Sequence, residues 1–319
     1  MTQICWVPHP INHIGISRLE DSGFTVIRGE CPDDPALHSL ITAAIFRSGK
    51  FTSTMMGQFP ALKVIAVHGT GTDGIDLRAA TEKGIVVLNT PGMNSRSVAE
   101  HAMALLFALA KRITIADQAV RNNEYTSVKY LGGFQEIMGM SLGVIGYGAT
   151  GQILARLATG LGMTVRVFSS QPAETINLAG CIKAASLESL LRESDYVSLH
   201  APSTPKTKHL INADRLALMK PGACLINTSR GALVDENALA EALRHGKLAG
   251  AGLDVFEQEP LPVDSPLMSA PNIILTPHTA ASTESAMRNM ALAAVQGILD
   301  VVNHQRPSFL VNPAVWPER

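Results

Sequence analysis

Two α/β domains, each a doubly wound parallel sheet, are predicted by three features of this sequence. At 319 residues the chain is too long for most single hydrophobic cores, so two domains are expected. Short β-branched runs alternate with longer helical ones along its length. The strand candidates are nearly continuous in apolar residues, as strands covered on both faces are.

The first series of strand candidates is "ICWVP" (4–8), "FTVIRG" (24–29), "AAIF" (43–46), "LKVIAVHG" (62–69) and "IVVLNT" (85–90). A second begins near residue 140 with "LGVIGYG" and continues through "TVRVFSS", "YVSLHAP", "CLINTS", "AGAGLDVF" and "NIILTPH". Between them, "SVAEHAMALLFALAKRITIADQAV" (97–120) reads as one long helix that opens the second domain. After the last strand, "STESAMRNMALAAVQGILDVVNHQ" (282–305) reads as another long amphipathic helix. No strand follows it, so it is expected to pack back on the first domain.

Composition narrows the function classes. The chain is 46% hydrophobic and 17% charged with a formal net charge of -1, which describes a globular protein. No basic excess points to nucleic acid or an anionic membrane. Cys5, Cys31, Cys181 and Cys224 are far apart and form no C-x-x-C, so neither a disulfide framework nor a metal site is expected. The start, "MTQICWVPHP", lacks a basic region followed by an apolar run, so no signal peptide is expected. The longest apolar stretch, "AMALLFALA" (102–110), is far short of the ~20 residues of a membrane span. A cytoplasmic protein is the expectation.

The stretch "VIGYGATGQ" (144–152) follows an apolar strand and precedes the helical run "GQILARLATGLG". That context turns a weak glycine pattern into a dinucleotide fingerprint. Gly146 permits the tight turn, Gly148 lets backbone approach a pyrophosphate, and Gly151 lets the helix pack on its strand. With Ala149 and Thr150 they form the expected phosphate cradle at a helix N-terminus; the alternative is a purely structural turn. A fingerprint of this kind usually has an acid at the end of the next strand for the ribose hydroxyls. Here Ser169 and Ser170 stand there, and the one nearby arginine, Arg166, lies within the strand. The serines do not repel a 2′-phosphate and can donate to it. NADP is therefore expected to be preferred over NAD, with NAD still used.

Three further stretches end predicted strands: "INTSRGALVDE" (226–236), "LDVFEQEP" (253–260) and "LTPHTA" (275–280). Ligands of open parallel sheets bind at the carboxyl ends of the strands. Arg230, Glu259 and His278 are thus candidates for one cleft. An arginine fork can hold a carboxylate or polarise a carbonyl. A histidine can give or take the proton that accompanies a hydride. A glutamate beside it favours its protonated form and fixes its tautomer. Taken one by one these residues have ordinary readings: a surface arginine, a solvated loop glutamate, a satisfied core histidine.

Taken together, "VIGYGATGQILARLATGLGM", "LHAPSTPKTKHLIN", "MKPGACLINTSRGALVDENALAEAL", "AGAGLDVFEQEP" and "NIILTPHTA" resemble the D-isomer-specific 2-hydroxyacid dehydrogenases. "LKVIAVHGTGTDGID" and "SVAEHAMALL" extend the resemblance, which runs from about residue 44 to 305. It implies that Arg230 binds the substrate carboxylate and carbonyl, that His278 is the acid/base, and that Glu259 is its partner. It implies substrate binding by the backbone at Thr70 and Gly71. Asp254 would hold the nicotinamide carboxamide, and Pro202, Thr207 and Thr228 would line the cofactor. "FRSGKFT" (46–52) is similar to the stretch that approaches substrate in phosphoglycerate dehydrogenases, so Arg47 and Ser48 are candidates for a distal anionic group; a surface charge is the alternative.

The resemblance also implies a Rossmann cofactor domain, 98–286, inserted in a flavodoxin-like substrate domain, 1–97 and 287–319. The helices near 98–120 usually build a homodimer in this family. The regulatory domain that follows some phosphoglycerate dehydrogenases is not expected. Gly74 departs from a frequent asparagine, and Ala280 and Ala281 stand where glycines are frequent. Two other readings use the same fold. A cofactor-sensing corepressor is expected to carry interaction tails outside the catalytic core. A formate dehydrogenase is expected to have glutamine in place of Glu259.

Overall fold

The computed structural model describes residues 3–31 and 33–316. The chain divides into two compact units, Met1–Ser95 with Ala281–Arg319, and Arg96–Ala280.

The first unit is a five-stranded parallel sheet of β1 (Gln3–Val7), β2 (Phe24–Arg28), β3 (Ile41–Phe46), β4 (Val64–Val67) and β5 (Val86–Leu88). Its order, β2-β1-β3-β4-β5, is the flavodoxin-like one, with the topological switch between β1 and β3. Both faces are covered, which is why these strands read as apolar runs. Ile4 and Trp6 of β1 join one cluster with Phe46, Phe51 and Phe59. Cys5 and Val7 join the other with Ala294, Val295 and Ile298 of the helix Glu284–Val302. That helix packs on β3, β4, β5 and the helix His13–Asp21. The open edge of β5 is covered by residues 310–312. The Val311 N–H donates to the Val87 carbonyl at 2.8 Å, and Asn312 accepts from the Val87 N–H at 2.8 Å and donates to the Ile85 carbonyl at 2.9 Å.

The second unit is a seven-stranded parallel sheet. Its strands are β6 (Ser141–Ile145), β7 (Thr164–Phe168), β8 (Cys181–Lys183), β9 (Tyr196–Leu199), β10 (Ala223–Asn227), β11 (Leu248–Leu253) and β12 (Ile273–Leu275). The order β12-β11-β10-β9-β6-β7-β8 puts the switch between β6 and β9. This is the Rossmann arrangement of two doubly wound halves.

The structure departs from the expectations at four points. The helix expected over 97–120 is two helices, Ser95–Ala110 and Ile113–Arg121. Arg112 takes a left-handed φ of 48° between them, which breaks the ladder without glycine or proline. The edge strand β8 lay outside the strand candidates because it is three residues long and two of them face outward. The chain leaves the second unit after Ala280, not after residue 286. There the Asp254 carboxylate holds the Thr279 and Ala280 N–H groups, and Thr283 then caps the next helix through the Ala286 N–H. The first crossing lies at 95/96 in place of 97/98.

Among the described residues no helix is long and apolar enough to cross a membrane. The four cysteines are free, with Cys5 and Cys224 buried.

Candidate active site

The carboxyl ends of β6, β7, β9, β10, β11 and β12 carry the candidate residues of the second unit. After β6, Gly146 has a φ of 97°, and a Cβ on it would stand 2.5 Å from the His200 carbonyl oxygen. A Cβ on Gly151 would stand 2.2 Å from the Gly146 oxygen. These two glycines allow close packing. Gly148 differs: a Cβ there would meet nothing within 4 Å. It is the N-cap of the helix Ala149–Gly160 and makes no side-chain cap, so the positive helix end opens beside a backbone hollow. The buried Thr228 hydroxyl, just past β10, has no hydrogen-bond partner among the described residues. A hollow, a helix N-terminus and an unpaired donor fit a dinucleotide phosphate.

After β7, the Ser169 hydroxyl oxygen accepts from the Gln171 N–H at 3.1 Å, leaving its own O–H to donate elsewhere. The Gln171 amide donates to the Tyr147 carbonyl inside the glycine turn, as does Gln152, each at 3.1 Å. Ser170 is exposed. Arg166 is turned to the other face of the sheet, paired with Glu193 at 2.8 Å. Lys183, which sequence reasoning passed over, donates from Nζ to the Gln171 carbonyl at 2.7 Å. Only the parallel pairing of Val167 with Lys183 brings it there. After β9, the Thr207 hydroxyl closes its own loop, donating to the Pro202 carbonyl at 2.8 Å. Burial pushes His200 down to about 4, so it is a neutral imidazole bonded to Ser198 at 2.9 Å.

Arg230, Glu259 and His278 come together. A Cβ on Gly231 would lie 1.8 Å from the Phe256 carbonyl carbon, so only glycine lets the Arg230 loop press against the loop carrying Glu259. His278 Nδ1 donates to Glu259 Oε2 at 2.7 Å, and Glu259 Oε1 accepts from the Phe256 N–H at 3.1 Å. A carboxylate only accepts, so the proton sits on Nδ1 and Nε2 faces away from the pair. Burial works to raise the Glu259 carboxyl, but the bond to His278 and its charge, the Phe256 N–H and the Arg230 guanidinium together hold it below the usual carboxylate range. Glu236 accepts from the Glu257 N–H at 2.7 Å behind this pair. Burial, with Glu257 and Glu259 nearby, raises the Glu236 carboxyl.

Asp254 is the candidate for the nicotinamide carboxamide. It is fully buried, and its carboxylate accepts from the Thr276 hydroxyl at 2.6 Å, the Thr279 N–H at 2.9 Å and the Ala280 N–H at 2.8 Å. Its backbone oxygen accepts the His278 N–H at 2.8 Å. These bonds organise the His278 turn. His101 was missed as well. It lies 3.1 Å from the Thr276 hydroxyl and 3.5 Å from Asp254, and nothing in "SVAEHAMALL" announces that reach.

Arg47, Ser48, Thr70 and Gly71 belong to the first unit, at the ends of β3 and β4. Arg47 donates to the Pro10 carbonyl and the Ser282 hydroxyl, each at 3.1 Å, while Ser48 is exposed. The Thr70 carbonyl accepts from Asn89 at 2.8 Å, and its hydroxyl donates to Asn94 at 3.3 Å. His68 is buried nearby and pushed down to about 4 by burial and by Arg47. A Cβ on Gly74 would lie 2.2 Å from the Gly49 oxygen, so asparagine does not fit this backbone.

The family model for the NAD-binding domain of D-isomer specific 2-hydroxyacid dehydrogenases matches residues 103–280. The chain is 39% identical to the glyoxylate reductase of Korarchaeum cryptofilum over 91% of its length and 86% of that protein's. It is 37% identical to the D-3-phosphoglycerate dehydrogenase of Methanocaldococcus jannaschii over 98% of its length, spanning 60% of that longer protein. An NADPH-dependent glyoxylate/hydroxypyruvate reductase of Sinorhizobium meliloti, solved with NADP and malonate, superposes with a TM-score of 0.85 at 30% identity, covering 100% of this chain and 99% of that one.

Proposed function

The chain belongs to the D-isomer-specific 2-hydroxyacid dehydrogenase family, and on that premise we propose that Arg230, Glu259 and His278 interconvert a 2-keto acid and a D-2-hydroxy acid. The enzyme is an NAD(P)-dependent oxidoreductase of small 2-hydroxy acids. The observation that carries the assignment of roles is the 2.7 Å bond between His278 Nδ1 and Glu259. The Gly146–Gly151 turn and the helix Ala149–Gly160 would hold the phosphates of a nicotinamide dinucleotide, which would exchange a hydride with C2 of the acid. In reduction, Nε2 of protonated His278 gives its proton to the carbonyl oxygen, leaving a neutral imidazole whose Nδ1–H stays on Glu259. In oxidation the same nitrogen takes the hydroxyl proton. Arg230 presents a planar fork to the substrate carboxylate and its adjacent oxygen, concentrating positive charge where the carbonyl oxygen becomes negative. In the first unit, Thr70, Gly71, Arg47 and Ser48 are the proposed substrate-binding residues.

Two substitutions test these roles. His278→Ala is expected to lower turnover by ~10²–10⁴-fold while dinucleotide binding, followed by fluorescence titration, survives. Near-normal turnover in that variant removes His278 from the chemistry. For Glu259→Gln the loss is smaller and has a sign. The amide no longer favours the imidazolium, so the limb on which reduction declines moves to lower pH. An unchanged pH–rate profile would show that the pair is not coupled.

NADP(H) is the preferred cofactor in this reading, because no acid at position 169 repels a 2′-phosphate and the Ser169 O–H remains a donor. Ser169→Asp is expected to shift the ratio of kcat/KM values towards NAD(H). Wild-type enzyme that already prefers NAD(H), with a ratio indifferent to the substitution, would overturn the preference.

A homodimer completes the reading. The helix Ile113–Arg121 and the residues after it expose Ile113, Val120, Tyr125, Tyr130 and Phe134, apolar side chains that a second copy would cover. Sedimentation equilibrium is expected to give twice the chain mass. A monomer at micromolar concentration would exclude this assembly.

A further inference from the structure

The loop after β7 lacks both the acid that selects NAD and the arginine that often attracts NADP. The fold supplies a cation from a neighbouring strand. In parallel pairing Val167 of β7 lies beside Lys183 of β8, and residues opposite one another share a sheet face. Val167 packs in the same cluster as Tyr147, Leu154 and Ala155, with Cys181 against it, so this is the face covered by the helix Ala149–Gly160. Lys183, two residues after Cys181, emerges on that face. Arg166, one residue out of phase, emerges on the opposite face and is paired there with Glu193.

Lys183 is exposed, but its ammonium is tethered. Nζ donates to the Gln171 carbonyl at 2.7 Å, and Gln171 is itself anchored at both ends. Its N–H donates to the Ser169 hydroxyl and its side-chain amide to the Tyr147 carbonyl, each at 3.1 Å. The bond to Gln171 engages one of the three ammonium donors. The positive charge is therefore held over the two-residue loop that follows the ribose-binding end of β7.

We propose that Lys183 receives the 2′-phosphate of the dinucleotide's adenosine ribose, together with the hydroxyls of Ser169 and Ser170. The ligand chemistry is a phosphomonoester on the 2′ position of an adenine nucleotide. This proposal rests on the NADP(H) reading above and names the residue that makes it attractive and not merely permitted. Arg156, on the helix Ala149–Gly160, lines a polar cavity of about 310 Å³ with Tyr147, Gln152, Thr175 and Asn177.

The test compares binding of adenosine 2′,5′-bisphosphate and adenosine 5′-monophosphate to the enzyme by calorimetry, a readout independent of turnover. Wild-type protein is expected to bind the bisphosphate more tightly, with the difference shrinking as salt rises. Lys183→Met, at an exposed position, is expected to weaken the bisphosphate about 10- to 100-fold and leave the monophosphate unchanged. Lys183→Arg should retain most of the discrimination. If Lys183→Met discriminates as well as wild type, or if Arg156→Met abolishes the difference in its place, Lys183 has no such role and the NADP(H) reading stands. If wild-type protein does not discriminate at all, that reading fails and the role of Lys183 with it.

Discussion

A single buried carboxylate shapes the candidate catalytic centre. His278 has a φ of 52°, a left-handed backbone that costs a non-glycine residue about 1–3 kcal/mol. Asp254, wholly removed from water, accepts hydrogen bonds from Thr276, Thr279 and Ala280, the residues on either side of that strained position. Hydrogen bonds to a charged group contribute about 1.5–3 kcal/mol each, so three of them outweigh the strain. The same bonds satisfy an ion that burial would otherwise penalise heavily. Strain in the turn and charge in the core stabilise each other, and the imidazole is aimed at Glu259 as a result.

The charges around that imidazole are graded. His278 and Arg230 help to hold the Glu259 carboxyl low despite burial, whereas Glu236, behind it, is raised by burial and by the charges of Glu257 and Glu259. Close backbone packing makes this gradient possible. Gly231 lets two loops approach to a distance that any side chain would forbid, so Arg230 and Glu259 act on one another although they end different strands.

Much of this was legible in the sequence because it is periodic or local. Apolar strand runs gave away two sheets, since a strand covered on both faces cannot carry polar residues in alternation. The glycine turn was legible because strand, glycines and helix are contiguous, and Arg230, Glu259 and His278 because each closes a recognisable strand end. Illegible features were of two kinds. Arg112 breaks a helix with an ordinary residue in a left-handed conformation, which no turn chemistry announces. β8 is too short and too exposed to carry a pattern.

By itself the sequence determined the fold class and singled out Arg230, Glu259 and His278 as candidates. Both depend on spacing along the chain, and hydrophobic period and strand-end position are properties of spacing. Tertiary structure alone decided the neighbours of Asp254, Lys183 and His101. Asp254 becomes the anchor of a turn only when Thr276–Ala280 folds over it. Lys183 becomes a neighbour of Ser169 only when β8 pairs with β7. Which polar groups meet across strands is set by sheet register and burial, and a one-dimensional string carries neither.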